Sequence, residues 1–349
     1  MRFHKTVCSK AIALTKIAQV SMFILLLSGC HKPFVAQIPI ASPCNVQTIS
    51  NDKIQIKDIQ ANFANLGVFI ISTQNLQNVL KNGKNLKSVE NLSFADFIAT
   101  LSKADIILLG EKHDESAHHK AQLLIIAALE RYFLSQGAHC NPSIAVVLEM
   151  LGSNAQNYIK EATQKRQDIT KENLKTALGW EKWDYKQYKN ILEYVFYSPF
   201  FEIVAGNLSR EEISTIYKEA QELQGNLSTT QEVKDSISKI ISKSHKTDDK
   251  ALLNKLTKVQ QYKDRRMADK LFASPHFAIL LAGNYHITKT FGIPLHIADF
   301  EASNEALSPQ NTINTKQVIS IGMLKHSHLK SKKHRGRLLS YYDYILVFR

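Results

Sequence analysis

Four apolar runs in this chain end in residues that can do chemistry. Asp105–Gly110 (DIILLG) runs into Glu111, Lys112, His113 and Asp114. Ser143–Met150 (SIAVVLEM) carries Glu149. Phe200–Gly206 (FFEIVAG) runs into Asn207, and Phe277–Gly283 (FAILLAG) into Asn284, Tyr285 and His286. A carboxylate or imidazole at the end of an apolar run cannot be left alone there. It needs a ligand, a metal ion or another side chain as its partner. One use of this set is metal-assisted hydrolysis. His113, Glu149 and His286 would hold a divalent ion, and Glu111 would act as general base on a bound water. Gly283 permits a sharp turn before Asn284, which places Tyr285 and His286 at the mouth of a pocket. His118 and His119 are adjacent, so on a helix they point about 100° apart and do not share one ion. Asp114 reads as the N-cap of a helix that starts at Glu115.

These residues need a scaffold that brings strand ends together. The apolar runs are continuous rather than alternating, and long helical stretches separate them. That pattern fits strands buried on both faces of a mostly parallel sheet, an α/β fold with flanking helices. Pro294–Ala298 (PLHIA) reads as a further strand, and Gln317–Leu324 and Tyr341–Phe348 as two more. Helices are expected over Glu115–Ser135 and Tyr185–Tyr197. Residues 208–272 are rich in Lys, Glu, Ser and Thr, with no obvious strand, and read as a smaller helical insertion. The α/β domain then comprises residues 66–207 and 273–349. The basic stretch from His326 to Arg337 reads as a hairpin loop. Trp180–Phe201 holds both tryptophans and several Tyr and Phe, which fits core packing or the wall of a pocket for a large planar ligand. In open α/β sheets ligands bind beyond the carboxyl ends of the strands, so the four polar ends point to one shared pocket.

The chain has 349 residues, 44% hydrophobic and 21% charged, with a formal charge of +13. This excludes a disordered, collagen-like or multispan membrane protein. Residues 1–29 carry Arg2, Lys5, Lys10 and Lys16 and no acid, followed by the short apolar run Val20–Leu27. That is the layout of a secretory signal. Its end, Leu27-Ser28-Gly29-Cys30, resembles a bacterial lipobox. The resemblance implies cleavage before Cys30 and lipid, including palmitate, on Cys30. His31 after the cysteine, where an inner-membrane lipoprotein would carry Asp, favours a Gram-negative outer membrane. Residues 30–65 read as lipid anchor and spacer. Export permits a disulfide between Cys44 and Cys140. Loss of the four signal cations lowers the charge from +13 to +9, and residues 325–349 carry a net +6 of that. The basic excess therefore sits at the two ends, and an exported chain has no nucleic-acid partner. There is no G-x-G-x-x-G, G-x-x-x-x-G-K-[ST], G-x-S-x-G, H-E-x-x-H or C-x-x-C-H. Nicotinamide, nucleotide and serine-hydrolase readings lack their motifs, and covalent c-type haem is excluded.

A longer series carries a family resemblance. It runs Gly110-Glu111-x-His113-Asp114, His118-His119, Gln122, Val147-Leu148-Glu149-Met150, Trp180, Trp183, Tyr188, Ala205-Gly206-Asn207, Arg210, Asp264, Met267-Ala268, Ala282-Gly283-Asn284-x-His286, Gly292-x-Pro294 and the terminal Tyr342-Asp343-Tyr344. The series resembles the ChaN-like haem-binding uptake lipoproteins of the Tiki/ChaN superfamily, in order over about residues 66–349. The resemblance implies haem binding at the surface of an iron-acquiring bacterium, with homodimerisation as part of it. It implies a Tyr phenolate as iron ligand, known chemistry for haem. Tyr285 and Tyr188 are the candidates, and Tyr285 occupies a position commonly small in the family. Lys112, His113 and His286 are the candidates for fixing the ring or its propionates. The alternative is the metal-dependent hydrolase, peptidase or esterase, described above. A third reading is a lipoprotein that binds partner proteins and keeps a vestigial pocket.

Overall fold

The computed structural model describes residues 56–83, 88–137, 144–307 and 315–349. They belong to one unit spanning Cys44–Arg349. Seven strands form a single sheet: β1 (Phe69–Ser72), β2 (Ile106–Glu111), β3 (Ile144–Gly152), β4 (Phe201–Asn207), β5 (Ala278–Gly283), β6 (Val318–Lys325) and β7 (Tyr344–Phe348). Their order is β1-β7-β6-β2-β5-β3-β4. Every pairing is parallel except β1 with β7. The central strands are buried along their whole length, and their side chains alternate between two apolar layers. Ile107, Leu109, Val146, Leu148, Ile279 and Leu281 face one layer. Ile106, Leu108, Ala145, Val147, Leu280 and Ala282 face the other. Burial on both faces is why these strands read as unbroken apolar runs.

Thirteen helices are described: α1 (Ile56–Asn65), α2 (Thr73–Lys81), α3 (Phe94–Leu101), α4 (Ser116–Ser135), α5 (Ala155–Gln164), α6 (Leu174–Ala177), α7 (Tyr185–Tyr197), α8 (Arg210–Glu219), α9 (Gln231–His245), α10 (Lys250–Phe272), α11 (Ile293–Leu307), α12 (Ser327–Lys330) and α13 (Lys332–Tyr341). Helices α1, α3, α4, α5 and α7 supply the first layer. Helices α2, α10, α11, α12 and α13 supply the second. Among the described residues no helix is long and apolar enough to cross a membrane.

The structure revises several sequence expectations. Pro294–Ala298 lies in α11 rather than in a strand. Pro294 is the second residue of that helix, where its missing N–H costs nothing, and Ile293 and Ile297 both turn into the core. The basic stretch is no hairpin loop. β6 and β7 run parallel, Ile321 opposite Tyr344 and Lys325 opposite Phe348. A parallel pair needs a crossover, and α12 and α13 provide it. Ser331 caps α13 by accepting from the His334 N–H. The segment expected to be spacer ends in α1, whose Ile59 and Phe63, one turn apart, enter the first core layer. Strand β1 was not anticipated, since four residues give no period to read. Residues 208–272 do form three helices, but Met267, Ala268 and Leu271 of α10 pack directly on the sheet. Cys30, Cys44 and Cys140 lie outside the described residues.

Gly110 shows how tightly the strand ends are fitted. A Cβ there would lie 2.3 Å from Asn284 Oδ1 and 2.7 Å from Ile287 Cδ1. The Asn284 amide is not free to move. Its Nδ2 donates to the Met323 carbonyl (2.8 Å) and its Oδ1 accepts from the Met323 N–H (2.9 Å), which ties the turn after β5 to β6. The glycine of G-E-x-H is thus required by the asparagine of G-N-x-H. Gly110→Ala is expected to cost about 1–3 kcal/mol through overpacking, read as a lower midpoint in urea denaturation. A midpoint equal to wild type would show that the asparagine can be displaced freely.

Candidate functional site

The carboxyl ends of β2, β3 and β5 lie side by side and deliver Glu111, Glu149 and the Gly283–His286 turn to one place. Two carboxylate–imidazole pairs form there. His113 Nδ1 donates to Glu111 Oε1 at 2.7 Å. The same oxygen accepts from the buried Tyr188 hydroxyl of α7 at 2.5 Å, and His119 Nε2 of α4 lies 3.4 Å from Oε2. In the second pair His286 Nε2 lies 3.2 Å from Glu149 Oε1, while Nδ1 faces Asp264 of α10 in a close contact. The Gly283 N–H donates to Glu149 Oε2 at 2.7 Å. His113 Nε2, 3.8 Å from Glu149 Oε2, links the two pairs. The whole arrangement is a chain of alternating charge running from Tyr188 to Asp264.

Charge follows from these contacts. Burial works against ionised Glu111, but hydrogen bonds from His113, His119 and Tyr188 outweigh it and hold its pKa at about 2. Glu149 is likewise held at about 2, with His286, His113 and the Gly283 amide overcoming burial. Burial opposes the charged form of His286, yet Glu149 and Asp264 on either side raise its pKa to about 10. His113 is raised as well, by Glu111 and Glu149 against burial. Burial raises Asp264, with His286 pulling the other way. Tyr188 is raised far above the ordinary phenol range, by burial and then by the Glu111 charge.

The candidates named from the sequence now separate. Glu111, His113, Glu149 and His286 are indeed brought together, but as ion pairs with one another. Among the described residues no group of three or more His, Cys, Asp or Glu is arranged to hold a metal ion. An imidazolium bracketed by two carboxylates has no lone pair to offer, and a carboxylate already accepting from a phenol and an imidazole is a poor base. The divalent-metal reading, with His113, Glu149 and His286 as ligands and Glu111 as base, is therefore corrected. His286 is also withdrawn from the propionates, since both its nitrogens are engaged inside. Tyr188 is 1% exposed and its hydroxyl is committed to Glu111, so no iron outside can reach it. Tyr285 is the opposite case, 57% exposed, with no hydrogen bond from its hydroxyl among the described residues. Tyr341 and Tyr342 lie close enough for the Tyr285 hydroxyl to raise their own pKa values, after burial. Lys112 is at the surface, paired with Asp114 at 2.8 Å. The helix that follows starts at Ser116, with Glu115 rather than Asp114 at its N-cap.

Three residues that the sequence reading named but gave no catalytic or haem-binding role belong to the site. Asp264 is buried in α10 one turn before Met267 and Ala268. A lone acid in that apolar stripe was the signal. Trp183 half-covers His113, with ring centroids 4.4 Å apart, and is the one tryptophan that faces the site; Trp180 is core. His118 is buried, and its Nδ1 accepts the Lys112 N–H at 3.0 Å. Burial lowers its pKa to about 4, so it is neutral near pH 7 and able to accept. It thereby fixes the turn that presents Lys112 and His113. His118→Ala removes one hydrogen bond worth about 0.5–1.5 kcal/mol, and hydrogen exchange at the Lys112 amide should quicken about tenfold. Unchanged exchange would show that the turn is held elsewhere.

Comparison with known proteins places this geometry. The family model described as "Haem-binding uptake, Tiki superfamily, ChaN" matches residues 97–297. A solved structure entitled "Cofacial heme binding to ChaN of Campylobacter jejuni" aligns at 39% identity, covering 81% of this chain and 97% of that one, with a TM-score of 0.66. A succinoglycan biosynthesis protein aligns at 12% identity over 75% of this chain and 92% of its own, with a TM-score of 0.36. An erythromycin esterase aligns at 12% identity over 80% and 97%, with a TM-score of 0.37. The last two alignments are too loose to bear on function. No curated protein shows significant similarity.

Proposed function

This chain belongs to the ChaN haem-binding uptake family of the Tiki superfamily, and from that premise we propose that it binds haem for haem and iron uptake, with Tyr285 as the iron ligand. The observation that carries the proposal is the placement of Tyr285. It is the most exposed of the exposed large hydrophobic side chains among the described residues. It stands on the turn after β5, with its phenol unengaged and two further tyrosines beside it. An iron ligand needs an accessible donor atom, which the Tyr285 hydroxyl offers, and a porphyrin face needs aromatic surface, to which half-buried Tyr341 contributes. The bound group supplies the iron and the macrocycle, and a phenolate favours the ferric state. This chain supplies the ligand, a rigid turn and cationic neighbours. The Lys112–Asp114 pair is exposed and worth little, so Lys112 is free to turn to a propionate. His113, 35% exposed and held by Glu111, is the second donor to a propionate.

The remaining parts of the reading rest on the sequence and on the relative. The Campylobacter jejuni protein is described as binding haem cofacially. Two haems face to face, each carried by one copy, would make this chain a haem-bridged homodimer. The signal-like residues 1–29 and the lipobox-like Leu27–Cys30 support lipid on Cys30 and a tether to the outer membrane. The test is a haemin titration of the purified chain followed by sedimentation. The expected result is a saturating Soret band and a haem-loaded species of twice the protomer mass. A chain that gives no saturable Soret band would refute haem binding, and one that loads haem as a monomer would refute the bridged dimer.

A further inference from the structure

A concavity lies beyond the ends of β3 and β4, a cleft of about 530 Å³. Three cations from three separate segments line it: Lys182 before α7, Arg210 at the start of α8 and Lys263 on α10. None makes an ion pair or a hydrogen bond among the described residues. They are near enough that Arg210 and Lys263, after burial, push the Lys182 pKa down. Glu181 and Glu211 also line the cleft and act on Lys182 in the opposite direction, yet neither closes to ion-pair distance on any of the three. Glu149 on the floor is already matched to His286 and the Gly283 amide. The N-terminus of α8 is satisfied internally by the capping box of Ser209 and Glu212, so it asks for nothing. Glu181 and Glu211 offset part of the mutual repulsion of the three cations without pairing with any of them, so all three remain open to an anion that enters the cleft.

We infer that this cleft is a second ligand site, independent of Tyr285, that takes a small organic anion bearing a carboxylate or phosphate group. Trp183 and Leu208 in the wall give such a ligand an apolar surface for its body. The cleft shares Trp183 with the wall over His113 and Glu149 with the buried ion pairs, but it does not include the Tyr285 turn. The Tyr285 turn is tied to Met323 of β6 through Asn284, whereas the cleft is built on β3 and β4. The inference does not rest on the haem reading.

Calorimetric titration of the purified full chain with citrate, and separately with inorganic phosphate, tests it, using haem-free and haem-loaded protein. Saturable binding of one or both anions is expected, alike in the two forms; the anion that binds identifies the group recognised. Lys182→Gln combined with Arg210→Gln changes exposed side chains only, and should weaken binding about tenfold or more, as expected for the loss of charge-assisted contacts. Lys263→Gln alone should weaken it in the same direction, with an unchanged thermal midpoint. Tyr285→Phe should leave it as it is. The inference is overturned if neither anion binds saturably, if the double variant binds like wild type, or if haem loading blocks the cleft.

Discussion

Tyr285→Phe is expected to weaken ferric haem binding by at least about tenfold and to shift the Soret band, because it deletes an exposed, unengaged phenol on the turn after β5, beside the strand-end site. The paired variant makes the result specific. Tyr188→Phe should leave haem affinity and spectrum as in wild type, and instead cost about 1.5–3 kcal/mol of stability, since its hydroxyl donates to the buried Glu111 carboxylate. Haemin titrations followed by absorbance, beside urea denaturation of both variants, separate the two roles. If Tyr188→Phe alters the spectrum and Tyr285→Phe does not, the assignment is reversed.

The second large effect concerns the buried ion pairs. Glu149→Ala strips His286 and His113 of a common carboxylate and leaves a buried imidazolium with Asp264 alone. Breaking such a pair by removing one partner costs about 3–5 kcal/mol. The loss should appear in urea denaturation near pH 6, with the strand-end turns affected before the rest of the sheet. Its pH dependence follows from the shifts. Glu149 is lowered from 4.5 to about 2, so its contribution is complete above pH 4.5 and vanishes as the pH falls through 2. His286 is raised from 6.5 to about 10, so its contribution is complete below pH 6.5 and vanishes as the pH rises through 10. The gap between wild type and Glu149→Ala should therefore be widest between about pH 4.5 and 6.5 and narrow on both sides. A gap that does not change with pH would mean that the lost interaction is packing rather than charge.

How much of this could be read in the chain depended on how local each signal was. Strands β2, β3 and β5 were legible because burial on both faces leaves an unbroken apolar run that stops at a polar residue, and edge strand β4 was legible despite its exposed Glu202. The shared position of Glu111, Glu149, Asn207 and His286 followed from that. α11 was not legible, since PLHIA fits a short strand or a buried helical turn equally, and only the completed sheet decides between them. The crossover through α12 and α13 was hidden because nothing local says whether β6 and β7 run parallel. Tyr188 and Tyr285 looked equivalent as candidate ligands. Their difference, one buried under Glu111 and the other exposed beyond β5, arises only when α7 docks on the sheet. The metal reading failed for a related reason. The right residue types were present, but spacing could not reveal that both ring nitrogens of His113 and of His286 already face carboxylates.

Haem carried on the Tyr285 phenolate is the central claim, and resonance Raman spectroscopy of the ferric complex tests it most directly. Iron–phenolate bands are expected in the wild-type complex. They should shift when the protein is made with ring-deuterated tyrosine, disappear in Tyr285→Phe and persist in Tyr188→Phe. A wild-type complex without iron–phenolate bands, or one whose bands survive in Tyr285→Phe, would contradict it.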